Sequence, residues 1–290
     1  MPLSTTPTVV KRYIGFELQR LREAAGKSQP EAGKEIDTSK AKISHFESGR
    51  NLPSLLEAEA LLNFYGAPDL IDLFKDLIVQ AREAKSSFDL DPSLDLAPGF
   101  SMYVGLEQGA SRIFTYDAVV VKGILQCRRY AEATIRGYLG GEDLSDDQVH
   151  ELVDLRMRRQ NVLHRTEPRL DVVAVINQGV LYHQVGGPVV AAEQLAHLLS
   201  TAERDNVTIR VLPYDIGAHP ALHGPFTRLE FPIPRDPGVV YLEDLVGGRY
   251  RDDTEDIDRY ADVGDRLLEL ALPERESLSL IDTIRRELAP

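Results

Sequence analysis

The 290-residue chain has one cysteine, Cys127. No disulfide can form within it, and a reducing compartment is the expected one. Nor is there an apolar run approaching the roughly 18 residues that a membrane-crossing helix needs. The first ten residues, MPLSTTPTVV, lack the charged start and apolar stretch of a secretory signal. Neither a membrane span nor export is expected, and the expected location is the cytoplasm. Catalytic signatures are missing too: no Gly-x-Ser-x-Gly elbow, phosphate-binding loop or dinucleotide fingerprint occurs. Gly140-Gly141, Gly186-Gly187 and Gly247-Gly248 lack the required flanks and read as turns. The chain is therefore expected not to be an enzyme and to carry no cofactor. Positive charge is scarce, with 33 Lys and Arg against 46 Asp and Glu and a net charge of -13. The scarcity is uneven. Residues 11–50 hold nine basic against six acidic side chains, whereas residues 86–290 hold 21 against 34. Attraction to a polyanion depends on the local field, screened beyond roughly 8 Å at physiological salt, so the acidic majority does not exclude a nucleic acid as partner of the basic stretch.

What is there begins with residues 28–49, SQPEAGKEIDTSKAKISHFESG. Ser28 is a fitting N-cap, and Pro30 is tolerated in the first turn of a helix running to Ile36. Asp37 falls where the chain must turn, and Asp enters the left-handed region more readily than most residues. Thr38 and Ser39 offer a second N-cap. In the run that follows, Ile43 and Phe46 share one side, while Lys40, Lys42, Ser44 and His45 fall on the rest. Gly49 ends the run, since glycine takes positive φ without a Cβ clash. Two short helices at a tight turn, the second with a cationic polar face, match the geometry in which a recognition helix enters a DNA major groove. A plain helical core is the alternative reading.

The strings QRLREAAGKSQ (19–29) and KISHFESGRNLPS (42–54) resemble the Xre family of helix-turn-helix regulators. The resemblance implies that Gln29, opening the second helix, clamps a phosphate or reaches a base. It maps base-reading positions onto Lys40, Ala41, Lys42 and His45, and a structural ion pair onto Arg22 and Glu47. Ser39 and Ser44 join the expected DNA-facing set, and Arg50 is expected on phosphate. The family's Leu-Ala at the centre of helix two and its Gly at the turn are here Ala32, Gly33 and Asp37. Glycine inside a helix costs roughly 1 kcal/mol relative to alanine, so a weakened second helix is expected.

In chain order, residues 1–10 read as irregular and disordered. The first helix is expected over 11–25, with Ile14, Leu18, Leu21 and Ala25 inward. A fourth follows over 54–65 through Leu55, Ala58, Leu61 and Leu62. A fifth covers 69–85, with Leu70, Leu73, Phe74, Leu77, Ile78 and Ala81 on its stripe. Ser, Pro and Asp crowd residues 86–99, the expected linker. Beyond it, helices are expected near 101–110, 128–138, 146–165, 189–204, 254–271 and 277–288, and strands at 112–116, 170–176, 207–213, 226–232 and 238–243. A hairpin is expected across IPRDPG (233–238). The fold class is thus an all-α, five-helix helix-turn-helix domain over residues 1–88 followed by an α+β domain over residues 89–290.

The second region also resembles a known module. The strings VGLEQGASRI, VVVKGILQCRRYAEA, RMRRQNVL, IRVLPYDIGAHPALHGPFTRLEF and VVYLED are similar to the C-terminal domain of a large antitoxin-like group of Xre regulators in actinomycete bacteria. That resemblance implies a transcription regulator encoded beside a small partner protein that modulates it. Lys122 stands where the group has the Pro of a Val-Pro-Gly turn, and Asn177-Gln178 replaces a usually acidic pair. Candidate ligand or partner residues are Glu107, Gln126, Arg159, His219, His223 and Glu243. An internal polar network joining Glu107, Gln126, Arg156, Arg159, Gln160 and Glu243 is the blander reading. His219 and His223, four apart, would face one zinc on a helix. Gly217, Pro220, Gly224 and Pro225 argue against a helix there, so no metal is expected. Cys127 would sense redox state only if Arg128 or Arg129 stabilised its thiolate; a buried thiol is the alternative.

These readings converge on a sequence-specific regulator of transcription, a repressor, working on the nucleoid. It is expected to bind double-stranded DNA at an inverted-repeat operator as a homodimer, with its acidic domain taking a small protein or a ligand. The competing expectation is an antitoxin-like interaction protein that sequesters a small partner and binds DNA for autoregulation.

Overall fold

A computed structural model describes residues 6–83, 99–138, 144–245 and 247–288. The chain divides into two compact units: Met1–Leu90, Ser101–Ala110 and Phe231–Asp236 form the first, and Asp91–Phe100, Ser111–Glu230 and Pro237–Pro290 the second. Residues 86–98 of the expected linker 86–99, the boundary at 88 and 89, and Gly140-Gly141 lie outside the described residues.

The first unit opens with α1 (Pro7–Ala24), α2 (Gln29–Glu35), α3 (Lys40–Glu47) and α4 (Leu55–Phe64). A 3-10 turn at Pro68–Leu70 leads into α5 (Ile71–Glu83). Val10, Ile14 and Leu18 of α1 meet Ala32 of α2, Ile43 and Phe46 of α3, Leu61 and Leu62 of α4, and Phe74, Leu77 and Ile78 of α5 in one buried cluster. Two expectations fail here. Residues 7–10 are helical, because Val9 and Val10 are 0% and 1% exposed and their burial outweighs the Pro- and Thr-rich composition of the start. Leu73 is 38% exposed, since the apolar stripe of α5 is wider than the core it faces.

A sixth helix, α6 (Phe100–Gly109), supplies most of its length to the first unit. Gly105 and Gly109 turn bare backbone towards Thr8 and Val9, and a Cβ at either would overlap them. Thr6, the N-cap of α1, donates its hydroxyl to the Gly105 carbonyl at 2.9 Å. From 231–236, Asp236 takes a bidentate pair from Arg12 at 2.6 and 3.0 Å, its own side chain 0% exposed. The Arg12 guanidinium also lies over the Phe231 ring.

In the second unit, β1 (Arg112–Asp117) is followed by α7 (Arg128–Tyr138), α8 (Asp146–Arg159) and β2 (Asp171–Asn177). Next come α9 (Gln178–Tyr182), α10 (Pro188–Thr201) and β3 (Val207–Leu212), then β4 (Phe226–Glu230), β5 (Val239–Asp244) and β6 (Gly247–Arg251), and last α11 (Thr254–Leu270) and α12 (Glu274–Leu288). The sheet runs β3-β2-β1-β4-β5-β6, with β1, β2 and β3 parallel and the remaining pairs antiparallel. Helical and mixed-sheet units together give the all-α plus α+β class, and the hairpin across 233–238 joins β4 to β5.

Strand alternation sorts the faces. Phe114 and Tyr116 of β1, Val175 of β2, Phe226 of β4 and Val240 of β5 pack with Ile257 and Leu267 of α11. The β3 edge is covered rather than bare: Leu272 N–H donates to Val211 O, Val211 N–H donates to Ser277 Oγ, and Arg210 donates to the carbonyls of Leu268, Ala271 and Leu272. At Val211 both backbone groups are thus taken up, so this part of the edge offers nothing for another chain to pair with.

Four further boundaries differ from expectation. β6 begins at Gly247-Gly248, not a free turn, because a Cβ on Gly248 would overlap the Tyr241 ring that lies across it. The short α9 follows directly on β2 because Asn177 caps it, its Oδ1 taking Gly179 N–H at 2.9 Å. α8 stops at Arg159 and continues to His164 as 3-10 turns. α12 starts three residues early, at Glu274. No described helix is long and apolar enough to cross a membrane.

Candidate nucleic-acid interface

The second and third helices are built by their caps. Ser28 and Glu31 form a reciprocal capping box on α2, each side chain taking up the other's backbone N–H. The turn passes through Asp37 at φ 49°, the left-handed conformation expected of it. Ser39 then accepts Lys42 N–H and starts α3, and Gly49 closes it at φ 69°. Gly33 does not merely weaken α2. A Cβ there would sit 2.7 Å from the Thr38 carbonyl, so the missing side chain is what lets the chain double back tightly. Gly15 of α1 does the same for α3, its bare Cα facing the carbonyls of Phe46 and Glu47.

Orientation is fixed by a buried polar clamp. Arg22 donates to both Glu47 oxygens at 2.6 and 3.0 Å and to the Lys27 carbonyl at 2.8 Å. The two side chains are 9% and 5% exposed, so the pair expected between Arg22 and Glu47 is present and dry. The bond to Glu47 holds the Arg22 guanidinium above its ordinary pKa, against the opposing effect of burial. Burial and then Glu47 push the Tyr65 phenol up as well. Gln29 joins the clamp: its Nε2 donates one N–H to Glu47 Oε2 at 2.8 Å.

The rest of the expected set lies on or just beyond α3. Ser39, Lys40, Ala41, Lys42 and Arg50 are exposed, and Ser44 and His45 are half-buried. Lys40 and Arg50 form no ion pair among the described residues. Lys42 does: its ammonium sits 2.6 Å from Glu57 Oε1, with the Phe46 ring 5.5 Å away. Glu57 is the residue sequence reasoning missed. The signal was legible in Ser54-x-x-Glu57, a capping box that opens α4.

In the second unit, Gln126, Arg156 and Gln160 make an internal network, as the blander reading expected. Gln126 Nε2 donates to Val121 O, Arg156 Nη1 to Gln126 Oε1, and Gln160 Nε2 to the carbonyls of Gly123 and Gln126. Arg159 lies over the Phe100 ring. Glu107 is wholly buried on α6 in the first unit, while Glu243 is exposed on β5 and stands apart from the network. Cys127 is buried; burial raises its pKa, and Arg128 and Arg129 pair with Asp154 and Glu193 instead of the thiol. That geometry removes the physical basis for a redox-sensing thiolate.

The polar groups that do converge lie at the C-terminal ends of the parallel strands. Tyr116 Oη is 3.3 Å from His219 Nε2, and burial raises the pKa of that phenol. His219 Nδ1 is buried with no partner among the described residues, and burial lowers the pKa of the imidazole. His223 is exposed, and the segment holding both histidines is a series of turns, not a helix. Gln178 Oε1 accepts Tyr214 N–H, placing Tyr214 parallel to Tyr182 at 6.3 Å, both rings exposed. At the foot of β1, Asp117 is fully enclosed, bonded by Thr115 Oγ1 and by Lys122 N–H, and desolvation raises its pKa. A proline at 122 has no N–H to give, so the departure at Lys122 supplies this carboxylate with a donor.

Compared with known proteins, residues 14–74 match the family described as a helix-turn-helix domain, and residues 100–283 match the family described as a domain of unknown function (DUF5753). No curated protein and no solved structure matches the chain.

Proposed function

The chain belongs to the family of the domain of unknown function (DUF5753) and carries a helix-turn-helix domain ahead of it, and on that premise we propose that it is a sequence-specific regulator of transcription, a repressor that binds double-stranded DNA as a homodimer. One observation carries the reading. The N-terminal end of α3 presents Ser39, Lys40 and Ala41 to solvent, with His45 one turn on and Arg50 beyond its end, while Arg22 and Glu47 lock the helix from behind. Lys40 has donors for guanine O6 and N7, and His45 has one for a purine acceptor. Lys42 has donors for the same guanine atoms, and Arg50 suits phosphate. Gln29 spends one amide N–H on Glu47 and keeps a second that can meet a phosphate.

A basic patch this small gives few phosphate contacts per subunit, which favours two subunits on one inverted-repeat site. The second unit is the regulatory part in this reading, not an enzyme. Its docking place for a small protein or ligand is the C-terminal end of the parallel strands, where Tyr182 and Tyr214 stand exposed; sheets of this kind bind ligands at that end. The work is done at the nucleoid, in the cytoplasm.

Sequencing the DNA that copurifies with the protein tests the proposal. A recurring inverted repeat with half-sites about one helical turn apart is expected. Fragments with no shared sequence would refute it, and tight capture of a small protein with no DNA at all would favour the antitoxin-like alternative.

A further inference from the structure

Resting on the DNA-binding reading, we infer that Glu57 is a specificity-determining residue: it biases Lys42 towards neutral base edges and away from phosphate. Glu57 cannot easily swing aside. Its Oε2 takes Ser54 N–H at 2.7 Å and its own N–H donates to Ser54 Oγ at 3.2 Å, so the carboxylate is tied into the first turn of α4. The other oxygen, Oε1, holds the Lys42 ammonium at 2.6 Å. Desolvation pushes the carboxyl upward, and the bonds from Lys42 and from Ser54 N–H outweigh it and leave its pKa below the ordinary value. At neutral pH the pair is therefore a closed plus-minus unit on the outer surface of the unit that reads DNA.

An ammonium has three donors, and Glu57 uses one. The two left over can meet guanine O6 and N7, which carry no net charge, with the pair intact. A phosphate arriving at the same ammonium must instead approach a fixed carboxylate a few ångströms away, well inside the screening length of about 8 Å. Glu57 thus subtracts one effective cation from sequence-independent binding while leaving hydrogen-bond donors for sequence-dependent binding. With few other cations on this face, one fewer is a large fraction of the electrostatic attraction.

Glu57→Gln is the test, because glutamine at this position preserves the capping box and so the start of α4. The full-length protein is titrated with a mixed-sequence duplex over a range of salt. Glu57→Gln should bind this duplex several-fold more tightly at low salt, and the slope of log K against log salt should steepen by about 0.9, the release expected from one newly neutralised phosphate. In a Lys42→Met background, which keeps an apolar stem against Phe46, Glu57→Gln should leave the slope unchanged. An unaltered slope for Glu57→Gln, or the same gain with and without Lys42, would overturn the inference while leaving the DNA-binding reading in place. If the unmodified protein bound neither this duplex nor copurifying DNA at any salt, the DNA-binding reading itself would fall, and the role of Glu57 with it.

Discussion

Glu47 is the side chain on which the orientation of α3 turns. It receives two bonds from Arg22 and one from Gln29 in a site nearly closed to water, so removing it leaves the buried guanidinium only the long, exposed contact with Glu23 at 3.4 Å as counter-charge. Glu47→Ala should cost about 3–5 kcal/mol of stability, read as a fall in the urea midpoint. Arg22→Lys keeps the charge and loses the two-pronged geometry, and should not rescue stability fully. Gly33 gives a prediction of opposite sign from its helix propensity. On propensity alone Gly33→Ala would stabilise α2 by roughly 1 kcal/mol. The 2.7 Å approach to the Thr38 carbonyl reverses that, and a loss of about 1–3 kcal/mol is expected on the same urea measurement. The sequence showed Gly33 as a departure from a familial pattern; that its missing Cβ is filled by the returning chain is visible only when residues 33 and 38 are seen together.

At the scale of elements, α1 to α5 and most of the sheet were legible because their signals are local. Ser28, Ser39 and Ser54 each stand one residue before a helix they cap, and the β-branched run 170–176 is the buried strand it resembles. What escaped depended on distant partners. The helical start at Pro7 needs the burial of Val9 and Val10, and β6 needs Tyr241 to lie over Gly248. Lys42 was legible as a cation on α3, but its partner lies fifteen residues away and was not. The segment between β3 and β4 carries a pH prediction. His219 there and His197 on α10 both titrate below the ordinary imidazole value of 6.5 because burial disfavours their charged forms. The unfolded chain then binds more protons than the folded one as pH falls through 6.5, so stability is lost in that direction. Urea midpoints should drop between about pH 7.5 and 5.5, and replacing both histidines by Asn should flatten the drop; a slope unaffected by the replacements would place the titrating groups elsewhere.

At the scale of the molecule, family and compact unit do not share a boundary. Residues 100–283 match one family, yet 101–110 and 231–236 pack into the helical unit with α1. The clearest case is Asp236, whose side chain is closed from solvent and bonded twice to Arg12. Asp236→Ala should destabilise the helical unit by about 3–5 kcal/mol, although the substitution lies more than two hundred residues from α1 in sequence. Hydrogen exchange of α1 amides reads this out: faster exchange in α1 is expected, and unchanged protection would show that the pair is dispensable. In the proposed reading, a chain of net charge -13 concentrates its attraction for DNA on one small surface. The most direct measurement of that claim is the base preference of the full-length protein on a library of randomised duplexes, taken for the unmodified chain and for Lys40→Ala, His45→Ala and Arg50→Ala. Lys40→Ala and His45→Ala should each relax preference at one position per half-site, by about 1–3 kcal/mol, whereas Arg50→Ala should weaken all sequences alike. Base preference left intact by both Lys40→Ala and His45→Ala would contradict the assignment of α3 as the element that reads sequence.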